Sequence, residues 1–131
     1  METKSIRTNH KEEIIDITDQ VTSFIKQNKI NSGLLTVFIQ HTTAGITINE
    51  NADPDVKTDM IKGLRSLSFE NVNFDHFEGN SPSHLKASLM GSSVNIIVEN
   101  GVLVLGTWQG IMFCEFDGPR NRKFIINVIG K

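Results

Sequence analysis

The dipeptide Asn100-Gly101 constrains this chain more than any other feature. It separates two aliphatic, β-branched runs, Val94 to Glu99 and Val102 to Gly106, and Asn-Gly readily supplies the two positive φ angles of a type I′ turn. A β-hairpin is therefore expected in the C-terminal third, and a purely helical fold is excluded. Trp108 to Phe116 reads as a third strand, Asp117-Gly118-Pro119-Arg120-Asn121 as a turn, and Lys123 to Ile129 as a fourth strand. Strands joined by such short turns predict a four-strand antiparallel meander.

Upstream the periodicity changes. Ile6, Ile14, Ile15 and Ile17 suggest an exposed strand becoming buried. Thr18 or Asp16 can cap a short helix carrying Val21, Phe24 and Ile25, which ends before Asn31-Ser32-Gly33. Leu34 to His41 and Ile46 to Asn49 read as two strands, with His41, Thr42 and Thr43 near their junction. Asp53-Pro54-Asp55 then opens a helix, with a side-chain cap, a first-turn proline and a dipole-favoured acid. Val56, Met60, Ile61, Leu64 and Leu67 share its apolar face. Residues 70–82 read as a polar loop, and Ser81-Pro82 starts a short helix with Leu85 and Leu89 on one side, closed by Gly91. The fold class is α+β: sandwich-like antiparallel sheets with two or three helices packed on them. At 131 residues the chain suits one domain, 1–131.

Composition narrows the function classes. With 38% hydrophobic and 21% charged residues the chain lies far from the disordered regime. A net charge of -2 gives no overall field for a nucleic-acid backbone or an anionic membrane, so neither is an expected partner. No apolar stretch approaches the roughly 18 residues of a membrane span. Met1 to Arg7 lacks the apolar core of a signal peptide, and Cys114 is the only cysteine, so a reducing, cytoplasmic location is expected.

Chemistry concentrates in four places. The first is the set of histidines: His41 after a buried-looking strand, His76 in the polar loop and His84 in the first turn of the short helix, with His10 apart. Three imidazoles and an open position suit a catalytic zinc, but this spacing matches no local zinc signature, and on spacing alone three unrelated, locally bonded histidines are the favoured reading. The second is Thr42-Thr43 with Asn49-Glu50-Asn51 and Asp53, able to hold a hydrated cation, a phosphate or a polar substrate, or simply to cap a helix. On the face of Ile46 and Ile48, the Glu50 carboxylate would need a partner. The third is the loop His76-Phe77-Glu78-Gly79-Asn80-Ser81-Pro82-Ser83-His84, rich in imidazole, carboxylate, amide and hydroxyl groups. The fourth is Gly106-Thr107-Trp108-Gln109-Gly110 with Glu115, Asp117 and the basic cluster Arg120, Arg122 and Lys123. That cluster could grip phosphate, or form a solvated turn or an intersubunit salt bridge. Cys114 reads as an inert buried thiol.

Together these motifs carry a resemblance. His41-Thr42-Thr43-Ala44, Asn49 to Asp55, Glu78-Gly79-Asn80, His84-Leu85-Lys86, Gly106 to Gly110 and Asp117-Gly118-Pro119-Arg120 closely resemble the YjbQ family, in order and over almost the whole chain. The resemblance implies a compact α+β homotrimer and a secondary thiamine-phosphate synthase activity, which joins hydroxymethylpyrimidine diphosphate to thiazole phosphate and releases pyrophosphate. It also implies a pocket in which His41, His76 and His84 hold a divalent metal, zinc on ligand softness or else magnesium. Glu50 and His84 are then the expected catalytic groups. Asn49, Asn51, Glu78, Thr107, Gln109 and Arg120 would contact a small phosphorylated metabolite. The alternative is a non-catalytic homotrimer that binds such a metabolite.

Overall fold

The computed structural model describes residues Met1–Lys131. Eight strands and three helices follow in the order β1 (Glu2–Arg7), β2 (Glu13–Asp16), α1 (Thr18–Gln27), β3 (Gly33–Phe38), β4 (Ala44–Glu50), α2 (Pro54–Arg65), α3 (Ser81–Met90), β5 (Ser93–Glu99), β6 (Val102–Leu103), β7 (Gln109–Glu115) and β8 (Asn121–Gly130). A short 3₁₀ turn, Phe69–Asn71, lies between α2 and α3. The strands form two antiparallel sheets, β1-β8-β3-β5-β6 and β2-β7-β4. The α+β class with antiparallel sheets is therefore what the fold shows.

The hairpin at Asn100-Gly101 forms as expected, with φ of 53° and 73° at the two turn residues and Val98 and Glu99 paired with Leu103 and Val102. The four-strand meander does not form. After β6 the chain leaves the larger sheet, β7 enters the smaller one between β2 and β4, and β8 returns between β1 and β3. The reason lies in β7 itself. Ile111 and Phe113 join the main core against α1, β3, β5 and β8, while Met112, Cys114 and Phe116 pack with Ile14, Ala87 and the α2 residues Met60, Ile61 and Leu64. A strand apolar on both faces needs a layer on each side, and an edge or half-solvated meander offers only one.

The resulting stack is the five-stranded sheet, the three-stranded sheet and then α2 with α3. Asp53 caps α2 by accepting the Asp55 N–H at 2.9 Å, and α1 buries Val21, Phe24 and Ile25. At the start of α1 the Asp16 carboxylate accepts the Thr18 N–H, while Ile17 holds the cap position. Helix α3 turns differently from expectation. Ser83, Lys86 and Ala87 are buried, whereas Leu85 and Leu89 are exposed. A buried lysine with carboxylate partners displaced the aliphatic pair from the inward face.

Candidate functional site

Three connections cross from one sheet to the other at the same end of the stack: residues 8–12 between β1 and β2, residues 39–43 between β3 and β4, and residues 116–120 between β7 and β8. Backbone that changes sheets cannot satisfy itself in a ladder, so polar side chains gather there. The loop before α3 and the first turn of α3 lie over the same end. Together they enclose a pocket of about 400 Å³ lined only by polar residues, among them His41, His76, Glu78, His84 and Arg120. Five of the expected site residues thus meet in one place, with Asn80, Asp117 and Arg122 beside them.

Beneath the pocket is a group the sequence did not identify as a unit. Glu115 is fully buried and takes a two-point ion pair from Arg122, with Nε to Oε2 at 2.8 Å. Thr8 Oγ1 donates to Oε2 at 2.9 Å and the Asp117 N–H to Oε1 at 3.0 Å. Arg122 also donates to Thr43 Oγ1 at 2.8 Å. Burial raises the Glu115 pKa, but the Arg122 bond and the two donors outweigh it and hold the carboxyl below its ordinary value. The pair bridges the sheets, because Glu115 comes from β7 and Arg122 from β8. Arg122 is thereby removed from the solvated basic cluster and the intersubunit bridge considered for it.

Hydrogen bonds fix several of the side chains around the pocket. The Lys123 backbone N–H donates to His41 Nε2 at 3.0 Å. Burial and the Arg122 cation lower the His41 pKa, so the ring is neutral. His76 and His84 meet edge-on with ring centroids 5.5 Å apart, and Glu78 Oε2 lies 3.8 Å from His76 Nε2. Asp117 Oδ2 accepts from Asn80 Nδ2 and from Arg120 Nη2, each at 3.0 Å. Burial raises the Asp117 pKa, and these bonds more than offset it. With Nδ2 committed to Asp117, the buried carbonyl Oδ1 of Asn80 has no hydrogen-bond partner. A second cavity, of about 350 Å³, adjoins this one and shares His76 and Asn80; Phe74, Phe116 and Lys86 lie in its wall.

No group of three or more His, Cys, Asp or Glu side chains is arranged to hold a metal ion. His41 is the clearest obstacle, because Nε2 is occupied by a backbone donor. As one set, His41, His76 and His84 do not fit a divalent cation in this arrangement.

Glu50, Asn49, Asn51, Thr107 and Gln109 lie elsewhere. Ala44 pairs with Glu115 at the pocket end of the β4–β7 ladder, while Glu50 pairs with Gln109 at the other, about 20 Å away at ~3.4 Å per residue. There the amides are engaged locally. Asn51 Nδ2 donates to Asp16 Oδ2 at 2.7 Å, Asn49 Oδ1 accepts the Glu50 N–H at 2.7 Å, and Gln109 Oε1 accepts the Gly106 N–H at 2.8 Å. Gly110 lets Asn51 lie against the backbone, where a Cβ would collide with it. Thr107 is exposed in the turn, and Glu50 is only half-buried at a strand end, so its carboxylate needs no partner.

Lys86, in the His84-Leu85-Lys86 motif, lies in the interior. Its ammonium donates to Glu12 at 3.0 Å and Glu70 at 2.7 Å, and Arg65 pairs with Glu12. Burial lowers the Lys86 pKa, but the two carboxylates outweigh that and leave it raised. Cys114 is buried and inert, its thiol pushed up to about 12 by desolvation.

Comparisons with known proteins agree on kinship. The family model described as UPF0047 protein YjbQ-like matches residues 2–131. UPF0047 protein YugU of Bacillus subtilis is 50% identical over 131 residues, covering 99% of this chain and 99% of that protein. UPF0047 protein MJ1081 of Methanocaldococcus jannaschii is 54% identical over 125 residues, covering 95% and 91%. A crystal structure of an uncharacterised conserved protein of the family from Clostridium acetobutylicum superposes with a TM-score of 0.95 at 50% identity, covering 98% of this chain and all of that one. The chain belongs to the YjbQ/UPF0047 family.

Proposed function

We propose that the sheet-crossing end of the molecule binds a small phosphorylated metabolite and acts on it. The observation that carries this reading is the all-polar pocket, where three imidazoles and Arg120 converge and Asn80 Oδ1 is buried without a partner. Arg120 would meet the phosphate through its guanidinium, and His76 and His84 are placed to donate to its oxygens or to move a proton. The remainder of the ligand would occupy the adjoining cavity beside Phe74 and Phe116.

The specific activity implied by family resemblance is a weak thiamine-phosphate synthase. There the carbon–oxygen bond to the diphosphate breaks, a carbon–nitrogen bond to the thiazole forms, and pyrophosphate leaves. Arg120 and the histidines would stabilise the charge on the departing diphosphate. A divalent cation has two routes into this reading: zinc through His76 and His84 alone, or magnesium carried on the phosphates. Glu50 has no catalytic part within one chain.

The homotrimer is supported by the outer face of the larger sheet. Ile129, Leu34 and Ile97 are directly paired across β8, β3 and β5, and all three are exposed with the neighbouring Val104. Such a row marks a contact surface, which in a threefold ring would meet a different patch of the neighbouring copy. Light scattering should give three times the chain mass of 14.6 kDa.

The deciding experiment is calorimetric titration with inorganic phosphate and with each thiamine-phosphate precursor, followed by an assay for thiamine phosphate. Saturable binding abolished by Arg120→Ala together with His84→Ala is expected. Equal binding by the wild type and that double variant would overturn the reading. Binding without product formation would select the non-catalytic alternative.

A further inference from the structure

We infer that His41 is locked as the Nδ1–H tautomer and works as a fixed hydrogen-bond donor toward an acceptor atom of the ligand, outside the coordination shell of any metal. The Lys123 N–H donates to Nε2 at 3.0 Å, and a nitrogen that accepts a hydrogen bond carries no proton. A neutral imidazole with a bare Nε2 bears its proton on Nδ1. Flipping the ring would put a carbon opposite the Lys123 N–H, so the backbone itself selects the orientation.

The consequence for metal binding is direct. A cation on Nε2 would displace the Lys123 donor. A cation on Nδ1 would move the ring proton to Nε2, turning the Lys123 contact into two opposed N–H groups. Either event would leave the N–H of a residue in β8 stranded. Nδ1 has no hydrogen-bond partner within the chain, and His41 lines the pocket beside Thr42 and Arg120. The chemistry of the ligand at this position is therefore that of an acceptor, such as a phosphate oxygen or a carbonyl. Its identification as phosphate rests on the function proposed above, but the tautomer does not.

The test is long-range proton–nitrogen correlation NMR of the full-length ¹⁵N-labelled protein at neutral pH, with His41 assigned by its loss in His41→Phe. A protonated Nδ1 and a bare Nε2 are expected at His41. Added zinc should leave both His41 nitrogens unshifted, while inorganic phosphate should move the Nδ1 proton. A protonated Nε2, or a His41 nitrogen shifted by zinc into the metal-bound range, would overturn the inference. A bare Nε2 with no response of any pocket signal to phosphate would instead refute phosphate as the ligand and uphold the tautomer. In the variant, loss of one hydrogen bond to a charged oxygen should weaken phosphate binding about tenfold. The tautomer is read in the wild type, so it does not depend on the fold stability of His41→Phe.

Discussion

The two ends of the β4–β7 ladder are built from the same kinds of residue and reach opposite states. At the Glu50 end, Asn49, Asn51 and Gln109 spend their amides on the neighbouring backbone and on Asp16, and the turn closes on itself. At the His41 end, the polar groups stand on a buried ion pair and leave His41 Nδ1 and Asn80 Oδ1 without protein partners. The difference is one of connectivity. Three direct sheet crossings, residues 8–12, 39–43 and 116–120, coincide with the loop before α3 at one end, which creates more polar groups than the chain satisfies; at the other, the crossing at residues 104–108 is closed by local hydrogen bonds. The surplus of unsatisfied polar groups is what makes the His41 end, and not the Glu50 end, the candidate site.

Mutation can break the contrast. The largest effect belongs to Glu115→Ala, which strands a buried Arg122 and should cost about 3–5 kcal/mol in denaturant unfolding. A loss below about 1 kcal/mol would mean that the pair is not the foundation of the pocket end. Next is Arg120→Ala, expected to weaken phosphate binding by about 10- to 100-fold. Because the Arg120 side chain is 53% exposed in its pair with Asp117, stability should change by less than about 1 kcal/mol. Asn51→Ala should show the inverse pattern, a loss of about 1–2 kcal/mol with phosphate affinity intact. Weakened binding there would join the two ends functionally. Glu50→Ala should be the smallest change, within about 0.5 kcal/mol and silent in phosphate titration.

Acidification sharpens the same contrast. His41 has its pKa lowered from 6.5, so the unfolded chain takes up this proton first and stability begins to fall as the pH drops below 6.5. Glu115 is lowered from 4.5, so its contribution is present above that value and is lost as the pH falls toward its folded pKa. Both losses belong to the pocket end. In a pH series of unfolding curves, replacing His41 should flatten the upper part of the decline, and an unchanged slope there would contradict its neutral, half-buried state.

Much of this was legible beforehand because its causes are local. The turn at Asn100-Gly101, the Asp53 cap and the buried face of α1 each depend on residues within a few positions of one another. The gathering of His41, His76, Glu78, His84 and Arg120 was legible through family resemblance, not through spacing. The meander and the inward face of α3 were misread for a shared reason. β7 is apolar on both faces and α3 buries Lys86, and neither fact identifies the layer or the carboxylates waiting on the other side.

By itself the sequence determined the α+β class, the hairpin, the helix starts and the residue types available for chemistry, since these follow from backbone propensities and short-range hydrogen bonds. Only the tertiary structure decided that Glu115 pairs with Arg122 under the pocket, that Glu50 stands about 20 Å away at ~3.4 Å per strand residue, and that the Lys123 N–H sets the proton on His41. Each depends on how segments far apart in sequence are brought together by burying β7 between two layers, and no local rule carries that information.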